Sequence, residues 1–171
     1  MSTPADTTPP RWSARAYDAS DAADRAAALA FFTEPDFHFR VAQPDTRAEW
    51  EIDEVLDDTV RLLCADGEPV GLYGVEDQGS EHGSHVQVDL RLRAAAPEHW
   101  WPAAYAAVRD ALLWRRELVR VTVRIPEHDH RGIAAARAAG LTEEGTLAKV
   151  TLHDGVPCGT VFFSQIWDPR S

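Results

Sequence analysis

Residues 129–155 constrain the fold of this chain more than any other stretch. They begin with an alanine-rich run that ends at Gly140, and glycine just past a helical run is the favoured left-handed cap. Two strand-like runs follow and meet at Asp154-Gly155, and Asp-Gly between alternating segments is a strong hairpin signal. The stretch therefore predicts a short helix followed by a β-hairpin, as in folds that mix helices with a sheet.

Composition narrows the class of protein. The length of 171 residues predicts one domain with a sizeable core. A net charge of −11 argues against a broad nucleic-acid surface, because such a surface needs a basic patch. The two cysteines are too few for a disulfide framework, and Cys64 in an apolar run predicts a buried thiol. No run is apolar enough for a membrane span and no signal-peptide pattern is present, so we expect a cytoplasmic protein without a membrane partner.

The remaining elements follow from periodicity and turn residues. We expect a loose polar tail at 1–10 and a single domain over 11–171. The predicted helix at 46–57 has Trp50, Ile52 and Val55 as candidate buried residues. The predicted order is a strand at 11–17, helices at 21–32 and 46–57, strands at 59–65, 69–75 and 85–93, a helix at 98–116, a strand at 118–125, the helix and hairpin described above, and a last strand at 160–167.

The strand at 85–93 is the clearest of these. Its apolar residues alternate with polar ones, so the two sets lie on opposite faces of a sheet. The apolar face carries Val86, Val88, Leu90 and Leu92, and the polar face carries Gln87, Asp89, Arg91 and Arg93.

The residues ARAAGLTEEGTLAKVTLHDG, followed by VFFSQIW, resemble the C-terminal half of the GNAT acyltransferases, nearest their ribosomal-protein N-acetyltransferase branch. In that pattern a helix ends in Gly-Phe, and Glu-Gly, a basic stretch, a charged Asp-Gly turn and a strand with Tyr-Ser follow. The corresponding residues here are Leu141, Glu144-Gly145, Ala148-Lys149, Asp154-Gly155 and Phe163-Ser164. The resemblance covers the last third directly and extends weakly over 11–167.

The resemblance implies an α/β fold of the GNAT type. Its sheet is mixed, mostly antiparallel and six- to seven-stranded, with helices on both faces and a splayed central strand pair. The strand at 85–93 would splay from its neighbour, and the pantetheine of the acyl donor would lie in that gap. The backbone N–H groups of Leu90, Arg91 and Leu92 would hold the oxyanion.

The family's pyrophosphate-binding turn departs from its pattern in this chain. In the family, acetyl-CoA or another acyl-CoA rests its pyrophosphate on a glycine-rich turn at a helix N-terminus, where free N–H groups stabilise an anion. The matching turn here reads APEHWWPAA, so Trp100 and Pro102 stand at the two glycine positions, beside Trp101 and Ala103. Proline has no N–H to donate, and the tryptophans add bulk where the pyrophosphate would lie.

A second departure lies at the start of the next helix. The family's Asn and Ser/Ala contacts to the cofactor are replaced by Asp129 and Gly132. A carboxylate 4 Å from a phosphate charge costs about 1 kcal/mol in bulk water and more near a protein surface. The Tyr that protonates the leaving thiolate in many members is replaced by Ala136.

These departures leave three interpretations open. The chain could still use acyl-CoA, or a donor without its nucleotide, such as an acyl carrier protein or an aminoacyl-tRNA. For tRNA, phosphate contacts could come from Arg91, Arg93, Arg109, Arg115, Arg116 and Arg131. The chain could also be a catalytically silent binding protein.

The transfer reaction needs a base for the attacking amine. Asp89 is the first candidate, since it lies mid-strand beside the expected gap, although it could instead pair with Arg91 or Arg40. His85 and Glu98 are the reserve candidates. Ser164 matches a family position near the acceptor but could equally form a local hydrogen bond.

Histidines are numerous but lack metal spacing. His128-x-His130 is the densest group, and no third ligand has recognisable spacing. We therefore expect solvated loop histidines and no metal site. The Phe37-His38-Phe39 cluster could line a pocket or cover the core.

The sequence thus predicts an N-acyltransferase acting on a small-molecule amine by direct attack. An enzyme should keep an open gap with a polar base facing it. A gap plugged by Trp100 or Trp101 would favour a binding protein or a donor that lacks the nucleotide.

Overall fold

The computed structural model of the chain describes residues 9–40, 48–79 and 84–168, and most of the predicted tail at 1–10 lies outside these residues. Seven strands and four helices occur in the described part of the chain. The strands are β1 (Trp12–Ala16), β2 (Val60–Ala65), β3 (Glu68–Asp77), β4 (His85–Leu92), β5 (Arg120–Pro126), β6 (Thr142–His153) and β7 (Val156–Ile166). The helices are α1 (Ala22–Phe32), α2 (Glu49–Val55), α3 (Trp100–Arg115) and α4 (His130–Ala138).

The strands form one mixed sheet in the order β1-β2-β3-β4-β5-β7-β6. Every neighbouring pair is antiparallel except β4 and β5, which are parallel. This arrangement confirms the predicted α/β fold with a mostly antiparallel sheet.

The central parallel pair is splayed. β4 and β5 pair only through His85, Val86 and Gln87, which lie opposite residues 120–122. Beyond that point β4 continues to pair with β3 and β5 with β7, but no longer with each other. We call the space between residues 88–92 and 123–126 the strand gap, and it confirms the predicted splayed pair.

The hairpin turns follow from local sequence. Asp66 and Gly67 have φ values of 52° and 90°, and Asp154 and Gly155 have φ values of 50° and 75°. Two successive residues with positive φ make the turn that matches the twist of antiparallel strands. Both Asp-Gly pairs therefore join strands where the sequence predicts.

Helices cover both faces of the sheet. The apolar face of β4 packs with Trp101, Tyr105 and other α3 and α4 residues in one core cluster. A second cluster on the opposite face contains Phe37 and Phe39 with residues of α1, α2 and β2. Phe37 and Phe39 are thus core residues, whereas His38 between them is only half-buried.

Two sequence predictions need correction. Trp50 is 62% exposed, whereas Ile52 of the same helix is buried, because the seven-residue α2 has room for one buried face only. The last strand begins at Val156 and not at residue 160, since it pairs with β6 from the Asp154-Gly155 turn onward. No helix in the described ranges is long and apolar enough to cross a membrane.

Candidate functional site

A cavity of about 620 Å³ lies beside the strand gap, and we call it the main cavity. β4 contributes Leu90 to its wall and β5 contributes Ile125. The β6–β7 hairpin curls over it with Leu147 and Val150. A bulge in β6 makes this possible, since the register with β7 shifts between Leu147 and Thr151 and the intervening Lys149 has a φ of 58°.

In the wall of the main cavity three carboxylates surround the guanidinium of Arg40. We call Arg40 together with Asp57, Glu76 and Asp89 the Arg40 cluster. Arg40 lies 3.1 Å from Asp89, 3.1 Å from Asp57 and 3.9 Å from Glu76. Its side chain is only 9% exposed. Three carboxylates thus share one positive charge, and this part of the cavity carries excess negative charge.

Gly74 of β3 lets Arg40 approach the sheet. A Cβ at Gly74 would collide with the guanidinium of Arg40. Gly74 is also the register partner of Asp89 across β3 and β4. The glycine therefore positions the charge that faces Asp89.

The three candidate bases lie in different environments. Asp89 lines the main cavity, and its carboxylate accepts hydrogen bonds from Arg40 Nε at 3.1 Å and Gln87 Nε2 at 3.3 Å. His85 is in the paired part of β4, where its Nε2 lies 2.9 Å from Thr122 Oγ1 and burial lowers its pKa. Glu98 is exposed in the turn before α3. Only Asp89 faces the main cavity.

Arg91 occupies the strand gap. One of its Nη atoms donates to the backbone oxygen of Asp36 at 2.6 Å, beside the core cluster of Phe37. Its Cζ lies 4.8 Å from the ring centroid of Trp101 in the opposite cluster. The side chain can reach partners on both faces only because the strands have separated.

Arg91 also forms a buried ion pair with Asp129, whose side chain is 8% exposed. Asp129 is the N-cap of α4, and its carboxylate accepts a hydrogen bond from the Gly132 amide at 3.0 Å. A Cβ at residue 132 would collide with that carboxylate. Asp129 and Gly132, the two replacements at the start of α4, are therefore parts of one contact with Arg91 that joins β4 to α4.

Two amides at the start of α3 are bonded within the turn. The amide of Trp100 donates to Pro97 at 2.9 Å, and that of Trp101 donates to Glu98 at 3.2 Å. Pro102 has no N–H. The amides of Glu98 and His99 have no such partner among the described residues, so the turn offers fewer amides to an anion than an unbonded helix N-terminus does.

Arg131 fixes the same turn from α4. Its guanidinium donates at 2.7 Å to the carbonyls of both Ala94 and Ala96, and it lies 4.4 Å from the ring centroid of Trp101. Trp101 is 2% exposed, and half-buried Trp100 packs against Trp12. Neither tryptophan lines the main cavity, whereas Arg91 does.

This position has fewer anion donors than the glycine-rich turn of the family pattern. Two turn amides are bonded, Pro102 has no N–H, and the carboxylate at the start of the next helix is paired with Arg91. Nε of Arg91, Nε of Arg131 and Nε1 of Trp101 lack partners among the described residues, but all three atoms are buried. A phosphate oxygen could reach them only after a rearrangement of the turn.

Several arginines of the expected tRNA groove are paired elsewhere. Arg109 pairs with Asp110, and Arg116 pairs with Asp77 at 2.5 Å. Arg91 and Arg131 are held as described above. These partners reduce the positive charge left for nucleic-acid phosphates.

Tyr105 of α3 is a site residue that the sequence analysis missed as a functional candidate. Its ring lines the main cavity and is 8% exposed. Burial and, to a lesser degree, the charge of Asp129 raise the pKa of its hydroxyl. The phenol is protonated at neutral pH, as an ordinary tyrosine is, and its position in the cavity wall makes it a candidate proton donor. Its helical spacing resembles that of any core residue, so the sequence gives no separate signal.

Three histidines from distant parts of the chain meet beside the main cavity. His128 stacks on His153 with ring centroids 3.6 Å apart, and His38 meets His128 edge-on at 4.8 Å. Burial, reinforced by the charge of Arg91, lowers the pKa of His38 to about 4. The expectation of solvated loop histidines is thus wrong for His128 and His153, which are half-buried. Among the described residues, no group of three or more His, Cys, Asp or Glu converges in a way that could hold a metal ion.

Ser164 is buried and donates a hydrogen bond to Glu144 at 2.8 Å. This local hydrogen bond is the alternative to a position near the acceptor that the sequence left open for Ser164. It does not line the main cavity.

Comparison with solved structures identifies the architecture. A GNAT-family acetyltransferase from Bacillus anthracis superposes with a TM-score of 0.72 at 12% identity, over 93% of this chain and 96% of that one. A ribosomal-protein-alanine N-acetyltransferase from Brucella melitensis gives 0.69 at 17% identity, over 91% and 99%. A Salmonella typhimurium protein named as an acetyltransferase, solved with its cofactor acetyl-CoA, gives 0.66 at 15% identity, over 92% and 95%.

No protein-family model and no curated protein matches the sequence. The likeness is therefore one of fold, carried over nearly the full length of both chains. The chain has the fold of the GNAT acetyltransferases, with a splayed central strand pair and a cavity beside it.

Proposed function

We propose that this protein is an N-acyltransferase that transfers an acyl group to a small cationic amine by direct attack. The Arg40 cluster carries the proposal, because three carboxylates share one guanidinium in the wall of the main cavity. An ammonium group is the complement of that excess negative charge. The cavity volume of about 620 Å³ suits a small-molecule site.

Asp89 is the proposed base. The acceptor binds as an ammonium ion and must lose one proton before its nitrogen can attack the acyl carbonyl. Asp89 faces the main cavity with a carboxylate held by Arg40 and Gln87, so it can take that proton directly or through a water molecule. His85 and Glu98 lie away from the cavity and are weaker candidates.

Tyr105 is the proposed acid. As the tetrahedral intermediate collapses, the bond to the leaving group breaks and the leaving atom needs a proton. The phenol of Tyr105 lines the main cavity and is protonated at neutral pH, so it can supply that proton. Asp89 releases the first proton to solvent and takes the second from the nitrogen of the intermediate, and it passes that one to solvent as well. The new amide then leaves, and the tyrosine regains its proton from solvent.

We further propose that the acyl donor does not depend on a nucleotide. The acetyl-CoA in the Salmonella typhimurium relative belongs to that protein, whereas in the α3 turn here two amides are bonded and Pro102 has none to offer a pyrophosphate. An acyl group carried on the phosphopantetheine arm of an acyl carrier protein, or an aminoacyl group esterified to a tRNA, needs no site for the pyrophosphate of coenzyme A. For either, the reacting carbonyl would enter from the side of the main cavity, because Arg91 fills the strand gap.

The experiment compares two thioesters with a panel of small amines. Acetyl-CoA and S-acetyl-N-acetylcysteamine carry the same acetyl thioester, but only the first has a nucleotide. We expect similar kcat/KM for the two donors, because the nucleotide gains no binding energy at the α3 turn. A kcat/KM for acetyl-CoA more than about 100-fold higher, or roughly 2.7 kcal/mol of transition-state stabilisation, would show that the nucleotide is used.

A second candidate function is a non-catalytic protein that binds a cationic ligand. Arg91 favours it, since its side chain bonds the Asp36 carbonyl and lies over Trp101 where the fold would admit an acyl donor. Saturable amine binding that is weakened by Asp89→Asn, with no turnover from either thioester, would support this candidate over the enzyme.

A further inference from the structure

Cys158 and His128 form a thiol–imidazole pair outside the main cavity. Cys158 lies near the start of β7, and its Sγ is 3.2 Å from Nδ1 of His128. The two residues are 30 positions apart in sequence. They meet because the β6–β7 hairpin folds back beside the end of β5. The other cysteine, Cys64, is buried in β2 within the core cluster that contains Phe37 and Phe39.

The thiol opens onto a cavity of its own. This second cavity has a volume of about 300 Å³, and we call it the histidine cavity. Its walls include His130, Val156 and Pro157 besides the pair itself. Cys158 is 8% exposed. The volume and the apolar wall suit a short acyl chain better than a large substrate.

His128 is placed to accept the thiol proton. Burial lowers its pKa, with a smaller effect of neighbouring His153, so the imidazole is neutral at neutral pH. Stacking on His153 and edge contact with His38 fix the ring. Nε2 of His128 is buried without a partner among the described residues, which leaves Nδ1, facing Cys158, as the nitrogen with an assigned role.

The surroundings of His128 contain charges of both kinds. Asp129, Asp36 and Asp154 act on it electrostatically, each in the direction that raises its pKa. His153 from β6 acts in the opposite direction, and burial outweighs the three carboxylates. Glu127 and His130 also line the histidine cavity.

We propose that Cys158 is a nucleophile that accepts a short acyl group from an activated ester or thioester, with His128 as its proton acceptor. The thiol proton passes to Nδ1 of His128 as the sulfur attacks the acyl carbonyl. The S–C bond forms, the bond from the carbonyl to the leaving oxygen or sulfur breaks, and the leaving group takes up the proton. The product is an S-acyl cysteine, and no oxidant or reductant is consumed.

This site is separate from the direct amine transfer proposed above. His128 lines both cavities and so forms part of the wall between them. Cys158 does not line the main cavity. Failure of the amine transferase assay would therefore leave the thiol proposal standing, and failure of the thiol assay would leave the amine transferase standing.

The test uses p-nitrophenyl acetate with the full chain. Intact mass spectrometry follows the addition of one acetyl group, and peptide mapping locates it. We expect acetylation at Cys158 and not at Cys64, with a rate constant above that of free N-acetylcysteine at neutral pH. Acetylation at Cys64, or a Cys158 rate no higher than that of the free thiol, would overturn the proposal.

Matched variants distinguish the loss of the proton acceptor from the loss of the folded structure. We expect His128→Asn to slow acetylation about 100-fold, as for loss of a general base, and His99→Asn, at an exposed position that lines neither cavity, to leave it unchanged. In the wild type the rate should reach its plateau below the ordinary thiol pKa, whereas in His128→Asn it should keep rising with pH. An equal pH profile in both proteins would contradict the role of His128. If His128→Asn fails to fold, the wild-type ratio of Cys158 to Cys64 labelling decides.

Discussion

Arg91 and Asp129 form a buried ion pair at the strand gap, where β4 and β5 have ceased to pair. Arg91 is also bonded to the backbone of Asp36 and lies over Trp101. One side chain therefore ties together the two faces of the sheet and the starts of α3 and α4. In this fold the same space is where the family resemblance places the pantetheine of the acyl donor.

Breaking this ion pair should destabilise the protein strongly. Arg91→Ala leaves Asp129 buried without its partner, and removal of one member of such a pair costs about 3–5 kcal/mol. Urea denaturation measures the change in the free energy of unfolding. As a control, Arg137→Ala removes an exposed ion pair with Glu143 and should cost no more than about 1 kcal/mol. Equal losses in the two variants would contradict the structural role of the buried pair.

Asp89→Asn should lower turnover of a cationic amine by about 100-fold or more, because it removes the proposed proton acceptor. Steady-state kinetics with S-acetyl-N-acetylcysteamine gives the ratio. Asp110→Asn is the matched control, since Asp110 is exposed on α3 and its ion pair within the described ranges is with its neighbour Arg109. Unchanged turnover in Asp89→Asn at neutral pH would remove Asp89 as the base.

The protein should lose stability in mild acid through His38. Its pKa is about 4 in the folded chain against an ordinary value of 6.5, with burial as the main cause. The unfolded state therefore binds more protons between these values, and the free energy of unfolding falls as pH drops from 6.5 towards 4. Urea midpoints across this range measure the effect, and His38→Gln should flatten the decline. A decline that is equally steep in the variant would assign it to other groups.

Local sequence predicts the framework of this fold well. The two Asp-Gly turns, the alternation in β4 and the glycine after α4 are all decided within a few residues, so the sheet and its hairpins can be read directly. Trp50 shows where such patterns fail, because a two-turn helix can place an aromatic residue on either face. Which face of α2 packs against the core decides that Ile52 is buried, and the residue type of Trp50 does not.

The site is less predictable because its contacts join distant segments. Arg40 and Asp89 are 49 positions apart, and Arg91 and Asp129 are 38 apart. The sequence offers Arg40 or Arg91 as partners for Asp89 without a way to choose. The pairing is decided by which arginine passes through the strand gap. The meeting of His38, His128 and His153 likewise depends on how the β6–β7 hairpin curls, which no periodicity encodes.

The measurement that tests the account most directly is calorimetric titration of the protein with acetyl-CoA, with S-acetyl-N-acetylcysteamine as the comparison. In the α3 turn two amides are bonded and Pro102 has none, and Asp129 stands at the start of α4. We therefore predict no saturable binding of acetyl-CoA below the millimolar range and no advantage over the smaller thioester. A dissociation constant in the low micromolar range for acetyl-CoA would contradict the account, since it would mean that this turn holds a pyrophosphate after all.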